Sequence, residues 1–142
     1  MSAHADLVRS YWDVCWNERR IDRLGEIFHE RYLHGRTESS PAQLGGIVQW
    51  AVGVFPDFRV EVTALEELGD AVATRSFFSG THTGPIYGLR GTLRPIRIPT
   101  LDVFFFRDGK VWQYWHLTDH LPILGAIGAE IRVGSEVADL EG

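Results

Sequence analysis

The spacing of apolar residues changes once along this chain, and that change limits the folds that it can adopt. Between residues 41 and 55 the apolar side chains recur three and four positions apart, which is the period of a helix. Between residues 58 and 64 they alternate with polar ones, which is the period of a strand. Helices followed by a run of strands indicate an α+β fold rather than alternating βαβ units.

The first part of the chain contains three segments with helical spacing. Residues 5–17 carry a broad apolar face, and a second short helix is predicted over residues 21–28. Residues 29–35 read as a loop that leads into a short strand, and residues 36–40 as a polar turn. Ser40 followed by Pro41 is typical of a helix start, so a third helix is predicted to about residue 54.

Four strands in an antiparallel meander are predicted after the helices. They cover residues 58–68, 71–80, 98–106 and 110–118, and residues 81–97, rich in Gly, Pro and Arg, form a loop. Asp108-Gly109 between two apolar runs is a strong hairpin signal, because both positions tolerate positive φ. Helices that cover the concave face of such a curved sheet would enclose a conical cavity.

Composition places the chain among globular proteins and argues against several partners. Its 142 residues suit a single domain, 1–142, in which residues 129–142 form a tail that frays or crosses an oligomer partner. The net charge of -5 without a basic block gives no support for nucleic-acid or membrane binding. Without a secretory signal or an apolar run long enough to span a bilayer, a cytoplasmic location is expected. A single cysteine, Cys15, excludes an internal disulfide.

The end of the last strand carries the side chains best suited to chemistry. An aromatic strand runs into His116, Thr118, Asp119 and His120, and a carboxylate against an apolar wall can act as an acid or a base. In a regular strand Trp115, Leu117 and Asp119 share one face, while His116 points to the other. If the Trp115 face lines the cone, Asp119 reaches into it; a bulge would reverse this.

Two further residues are candidates for catalysis, each with a structural alternative. His82 could orient a substrate carbonyl or pair with a carboxylate, or it could be a loop histidine bonded to the backbone. Asp102 lies among large apolar residues and needs a partner, a proton or water. It could divide acid and base roles with Asp119, or it could form a salt bridge to Arg75 or Arg97 on the outer face.

Aromatic and apolar side chains supply candidates for a substrate pocket, although core packing explains most of them equally well. His34 could lie at the end of the first strand as a core or rim histidine. No spacing typical of a metal site is present, so no metal is expected. The substrate-binding candidates are Tyr11, Trp12, Trp16, His34, Trp50, Phe104, Trp115 and Leu117.

Several short motifs in this order resemble the SnoaL-like polyketide cyclase family over residues 5–128. They include a Pro-Asp-Phe at 56–58, Gly-Thr-His-Thr-Gly at 80–84, Asp-Gly-Lys-Val at 108–111, and a Trp four residues before Asp119. The closing Leu-Gly-Ala-Ile-Gly at 124–128 fits as well. The resemblance implies a nuclear-transport-factor-2-like cone in a homodimer or homotetramer, with a deep pocket and no cofactor.

The resemblance also implies a reaction. A small hydrophobic, polyketide-like substrate would undergo intramolecular aldol ring closure, with Asp119 as the acid/base. The loop at residues 90–97 and the run of phenylalanines at 104–106 depart from the family pattern near the pocket mouth. Pyran or carbocycle formation, dehydration, isomerisation, epoxide opening or non-catalytic binding therefore stay open as alternatives, since one fold supports many reactions.

Overall fold

Helical segments fill the first part of the chain in the computed structural model, which describes residues 2–129. Helix α1 (Ala3–Ser10) continues directly into a π-helical segment, Tyr11–Asn17, and a 3₁₀ segment follows at Ile21–Glu26. Helix α2 (Pro41–Val54) begins where Ser40 Oγ accepts a hydrogen bond from the Gln43 backbone N–H. A short helix α3 (Leu121–Ala126) follows the last strand.

Six strands of the described chain form one curved, unclosed sheet. Its order is β2-β1-β6-β5-β4-β3, and all neighbours are antiparallel except β1 and β6, which are parallel. The N-terminal helices and this sheet together confirm the α+β prediction. The strands are β1 (Phe28–His34), β2 (Thr37–Ser39), β3 (Arg59–Leu68), β4 (Ala71–Thr81), β5 (Pro95–Arg107) and β6 (Lys110–Thr118).

Local pattern predicted the meander well and the strands near the N-terminal helices poorly. Strands β3 to β6 and the α2 boundaries are confirmed, except that β5 begins at Pro95, within the segment predicted as a loop. The hairpin turn has φ of 53° at Asp108 and 80° at Gly109. The assignment of Phe28 to a helix is wrong, since β1 begins there, and residues 37–39 form a strand rather than a turn. Strand β1 is stabilised by β2 and β6, and β6 lies about 80 residues away, so local periodicity could not reveal this pairing.

Two polar side chains at and just after the end of the π-helical segment, Asn17 and Arg19, connect the helices to the edge of the sheet by hydrogen bonds. The Asn17 amide donates to the Val60 carbonyl at 2.8 Å and accepts from the Val60 N–H at 2.7 Å. Arg19, with a φ of 61°, donates to the Trp16 carbonyl at 2.9 Å and to the Phe58 carbonyl at 2.9 Å. These bonds satisfy the Val60 groups of β3, an edge strand, and the carbonyl of Phe58 just before it, and they hold the π-helical segment above the concave face.

The convex face of the sheet leaves apolar side chains in solvent. Leu101, Trp115 and Leu117 are 53%, 42% and 67% exposed, and they lie on neighbouring strands in register, Leu101 opposite Leu117. The predicted tail lies, apart from Ala129, outside the described residues. Within the range that is described, no helix combines the length and apolar character that crossing a bilayer requires.

Candidate active site

A cavity of about 230 Å³ lies between the helices and the concave face of the sheet. Its walls are mainly apolar: Trp12 and Trp16 come from the π-helical segment, and Trp50 and Ala51 from α2. A cavity of about 150 Å³ is enough to hold benzene, so this one can take a single substituted ring or a folded chain of similar size. Polar side chains enter from β5, β6 and the following turn, namely Thr100, His116, Thr118 and His120.

The two indole rings on the π-helical segment differ in their hydrogen bonding. Trp12 Nε1 donates to Thr74 Oγ1 on β4 at 3.2 Å. Trp16 Nε1 is buried and has no hydrogen-bond partner within residues 2–129. The wider turn of a π-helix changes which side chains share a face, and such turns are frequent at functional sites. Here it presents both rings to one cavity.

A buried carboxylate and a histidine form the polar centre of the site. Asp102 on β5 is 1% exposed and lies opposite His116 on β6 in the strand register. The Asp102 Oδ1 atom is 2.6 Å from His116 Nδ1 and also accepts a hydrogen bond from the Tyr114 hydroxyl. His116 itself lines the cavity. Neighbouring strands thus bring together a carboxylate, a phenol and an imidazole, and only the imidazole reaches the cavity.

The hydrogen bonds define which ring nitrogen of His116 can act as a base. An ionised carboxylate only accepts hydrogen bonds, so the contact with Asp102 places the ring proton on Nδ1. Nε2 then keeps its lone pair, which is the arrangement of a general base oriented by a carboxylate. Burial, followed by the charge of Asp102, raises the pKa of Tyr114 well above its usual value, so this phenol stays a neutral donor. Burial and the neighbouring His116 lower the pKa of His34.

Comparison with known proteins identifies the family. The family model of the SnoaL-like polyketide cyclases matches residues 6–127. This chain belongs to the SnoaL-like polyketide cyclase family. No curated protein matches it.

Solved structures of similar proteins confirm the SnoaL-like fold. TsrD from Streptomyces laurentii is 24% identical with a TM-score of 0.81, over 90% of this chain and 96% of that one. IdmH from Streptomyces antibioticus, a candidate polyketide cyclase, is 25% identical with a TM-score of 0.78, over 89% and 99% of the two chains. AclR from Streptomyces galilaeus, a candidate hydroxylase, is 22% identical with a TM-score of 0.77, over 97% and 88%. These likenesses show the fold and leave the reaction open.

In this SnoaL-like chain the prediction that Trp115, Leu117 and Asp119 face the cone is wrong. Trp115 and Leu117 lie on the convex face, and Asp119 is exposed. Asp119 Oδ1 accepts a hydrogen bond from the Leu121 N–H at 3.0 Å, which caps the start of α3. His116 and Thr118 lie on the concave side instead. A bulge shifts the β5–β6 register between Phe105 and Phe106, and this reverses the faces that the following residues of β6 present.

Asp102 belongs to the polar centre of the site, whereas His82 lies in the loop after β4. The expected salt bridge of Asp102 to Arg75 or Arg97 on the outer face is wrong, because its carboxylate is buried on the concave side with Tyr114 and His116. His82 is fully buried in its loop, where Nδ1 accepts from the Thr92 backbone N–H at 3.3 Å. This geometry corresponds to the loop-histidine alternative, and the ring is not among the residues that line the cavity.

The predicted substrate-binding residues divide between cavity and core. Trp12, Trp16 and Trp50 line the cavity, with Trp50 53% exposed at its mouth. Tyr11 and Phe104 are fully buried in an aromatic cluster beneath it, with ring centroids 5.4 Å apart. His34 packs edge-on against Tyr114, 5.2 Å between ring centroids. Tyr11, Phe104 and His34 therefore support the site without lining it.

The sequence analysis missed three residues of the site: His116 as its centre, and Thr100 and Thr118 beside it. The available signal was the alternation of Thr100, Asp102 and Phe104 along β5, which places two polar side chains on the same face as a core phenylalanine. Among the described residues, no group of three or more His, Cys, Asp or Glu side chains is arranged to hold a metal ion.

Proposed function

We propose that this chain is a cyclase-type enzyme that closes a ring in a polycarbonyl substrate by acid/base catalysis, with His116 as the proton-transfer group. The observation that carries the proposal is the contact between the buried Asp102 and His116, which lines an apolar cavity and has a side chain 37% exposed. Membership of the SnoaL-like polyketide cyclase family supports the substrate class.

The proposed reaction is an intramolecular aldol closure. His116 Nε2 takes a proton from a carbon next to a carbonyl, and the resulting enolate carbon attacks a second carbonyl carbon of the same molecule. One C–C bond forms, and the alkoxide that results takes the proton back from the imidazolium. Asp102 stabilises the imidazolium and fixes the ring orientation, as a carboxylate does for the histidine of a hydrolase triad.

The cavity contributes by restricting the conformation of the substrate. Its apolar wall of indole and aliphatic side chains favours a compact, folded conformation in which the reacting carbons meet. Low polarity also strengthens the electrostatic interaction between the Asp102 carboxylate and the developing imidazolium. The role of Trp12, Trp16 and Trp50 in the proposal is to hold that folded conformation.

Asp119 is the residue that the family resemblance assigns to acid/base chemistry, and its position here favours a different role. Its carboxylate is exposed and caps the first turn of α3, which carries Ile123 into the cavity wall. In our proposal Asp119 positions this turn, and proton transfer is assigned to His116. Single substitutions of His116 and of Asp119 distinguish the two assignments.

An aryl 1,5-diketone such as 1-phenylhexane-1,5-dione tests the reaction. Aldol closure and loss of water convert it to a conjugated cyclohexenone, which is followed by ultraviolet absorbance. We expect H116Q and D102N to lower the enzyme-dependent rate by about 100-fold or more, the usual contribution of a general base. D119N should lower it less. H29Q is the matched control, because His29 bonds to the Arg107 carbonyl outside the cavity.

Two outcomes would contradict the proposal. Near wild-type closure by H116Q and D102N, with a large loss in D119N, would return the catalytic role to Asp119. Binding of the diketone without any closure by the wild-type chain would favour the non-catalytic binding module, an alternative that the exposed Asp119 makes worth testing.

A further inference from the structure

Three side-chain hydroxyls form a row across the concave face of the sheet. Ser76 on β4 lies opposite Thr100 on β5, and Thr100 lies opposite Thr118 on β6. All three oxygen atoms are buried, and none has a hydrogen-bond partner in the part of the chain that the structure describes. Buried polar groups in native proteins are nearly always paired, so a row of three unpaired hydroxyls requires an explanation.

Two members of this row belong to the cavity. Thr100 and Thr118 line it, together with Trp16, whose buried indole N–H is likewise unpaired. The neighbouring row differs: there Thr74 accepts from Trp12, and Asp102 accepts from His116. Beside the proposed base, Thr74 Oγ1 and Asp102 Oδ1 thus have partners within the protein, and of the buried polar atoms of these side chains only Asp102 Oδ2 has none among the described residues. Further along the strands, the hydroxyls of Thr100 and Thr118 are unpaired and are left for a molecule in the cavity.

The position of the unpaired row relative to His116 is set by strand geometry. Thr118 follows His116 by two residues, and Thr100 precedes Asp102 by two, so both rows lie on the same face. Two residues of strand span about 7 Å. A molecule that loses a proton to His116 would therefore meet these hydroxyls with atoms several bonds away from the reacting carbon.

We propose that Thr100, Thr118 and Trp16 determine specificity by hydrogen bonding to oxygen atoms of the substrate that are remote from the carbon that loses its proton. The indole N–H can only donate, so its partner is an acceptor such as a carbonyl oxygen. The threonine hydroxyls can donate to carbonyls or pair with hydroxyl groups. The substrate is then an oxygen-rich chain, such as an oligoketide, rather than a terpenoid or other hydrocarbon-like molecule. The identity of the reacting carbon depends on the proposed function; the recognition of oxygen does not.

Discrimination follows from the cost of leaving buried polar groups unpaired. A hydrocarbon of the same shape would fill the cavity and leave the Thr100 hydroxyl, the Thr118 hydroxyl and the Trp16 indole N–H unpaired, whereas a substrate with oxygen atoms at these points would pair them. Sites built to hydrogen-bond a substrate reject analogues that lack the polar atoms more strongly than apolar pockets reject isosteres. The unpaired groups of Thr100, Thr118 and Trp16 thus select against apolar molecules, which the tryptophan side chains alone would bind.

Binding of two matched probes tests this inference, and it is measured in an H116Q background so that ring closure does not consume the dione. The probes are 1-phenylhexane-1,5-dione and 1-phenylhexane, which share a carbon skeleton and differ only in the two carbonyls. We expect the H116Q chain, in which Thr100, Thr118 and Trp16 are unchanged, to bind the dione more tightly than phenylhexane in ligand-observed NMR titrations. In the same background, T100V and T118V should each weaken dione binding by about threefold to tenfold, the usual value of a hydrogen bond, and leave phenylhexane binding unchanged. W16F also reduces the apolar wall, so it should weaken dione binding by more than it weakens phenylhexane binding.

Control variants separate hydrogen bonding from packing. W12F removes an N–H that Thr74 already satisfies, so it should affect both probes alike. T100S retains the hydroxyl and should keep the preference for the dione. Without ligand, T100V and T118V should be at least as stable as the wild type in thermal unfolding, because they lose no internal hydrogen bond.

Three results would overturn the inference. They are equal binding of the two probes by the H116Q chain, unchanged dione binding when T100V or T118V is added to it, and a clear fall in melting temperature for either threonine variant, which would indicate a structural hydroxyl. Loss of ring closure in H116Q with intact probe discrimination would leave both proposals standing. Full closure in H116Q would remove the proposed mechanism alone.

Discussion

Replacement of Tyr114 by Phe tests the buried polar centre most directly. The change removes the hydroxyl that donates to Asp102 and leaves the ring, which stacks on Phe104 with 4.8 Å between centroids. A hydrogen bond to a charged acceptor contributes about 1.5–3 kcal/mol to stability. Since Tyr114 is 2% exposed, solvent cannot replace the lost donor. We therefore expect Y114F to lower the free energy of unfolding by about 1.5–3 kcal/mol near pH 7.

The same variant has a characteristic dependence on pH. Burial and the charge of Asp102 raise the pKa of Tyr114 well above 10.0, so the folded phenol stays protonated where an unfolded tyrosine ionises. Above that ordinary value the folded state holds one more proton at this residue, and its contribution to stability falls by about 1.4 kcal/mol per pH unit. The phenylalanine in Y114F cannot ionise, so the free energy of unfolding of this variant does not include that pH-dependent decrease. The gap between wild type and Y114F should therefore narrow above about pH 10 and close near pH 11 to 12.

Urea unfolding of both proteins between about pH 7 and pH 11 measures this gap. Y32F is the matched control at neutral pH, because Tyr32 is also 2% exposed but contacts His34 rather than Asp102. An equal cost for Y32F and Y114F at pH 7 would refute the charged hydrogen bond. A gap that stays constant to pH 11 would refute the protonation argument.

Two other features support predictions of their own. N17A should lower the free energy of unfolding by about 2–3 kcal/mol, because it leaves the N–H and carbonyl of the buried Val60 without partners. N17D keeps the acceptor and should lower it less. A change below about 0.5 kcal/mol for N17A in urea unfolding would contradict the prediction. The resemblance predicts a homodimer or homotetramer, and the exposed Trp115 and Leu117 are where we expect a second copy. Light scattering should give a multiple of 16.1 kDa that falls toward one chain in W115E, and a monomeric wild type would contradict it.

Those parts of the fold that depend on local pattern were predictable from the sequence. Ser40-Pro41 marked the start of α2, and Asp108-Gly109 marked the last hairpin, because caps and tight turns have their own residue preferences. Strand β1 was not predictable in this way. It is held by a parallel partner far along the chain and by the three-residue β2, and neither pairing leaves a periodic signal near residue 28.

The candidate site shows that the pattern of apolar residues alone does not predict which face of a strand is buried. Both faces of β6 are rich in large side chains: Tyr114 points inward, while Trp115 and Leu117 point outward, so alternation alone does not say which face is buried. The register with β5 decides it, because Asp102 lies opposite His116 and an unpaired carboxylate cannot be buried without cost. The requirement that Asp102 find a partner, already evident in the sequence, thus selects the face that carries His116. Applied to the next pair along the strands, the same reasoning places Thr100 and Thr118 on the cavity side, where no group of residues 2–129 pairs with their hydroxyls.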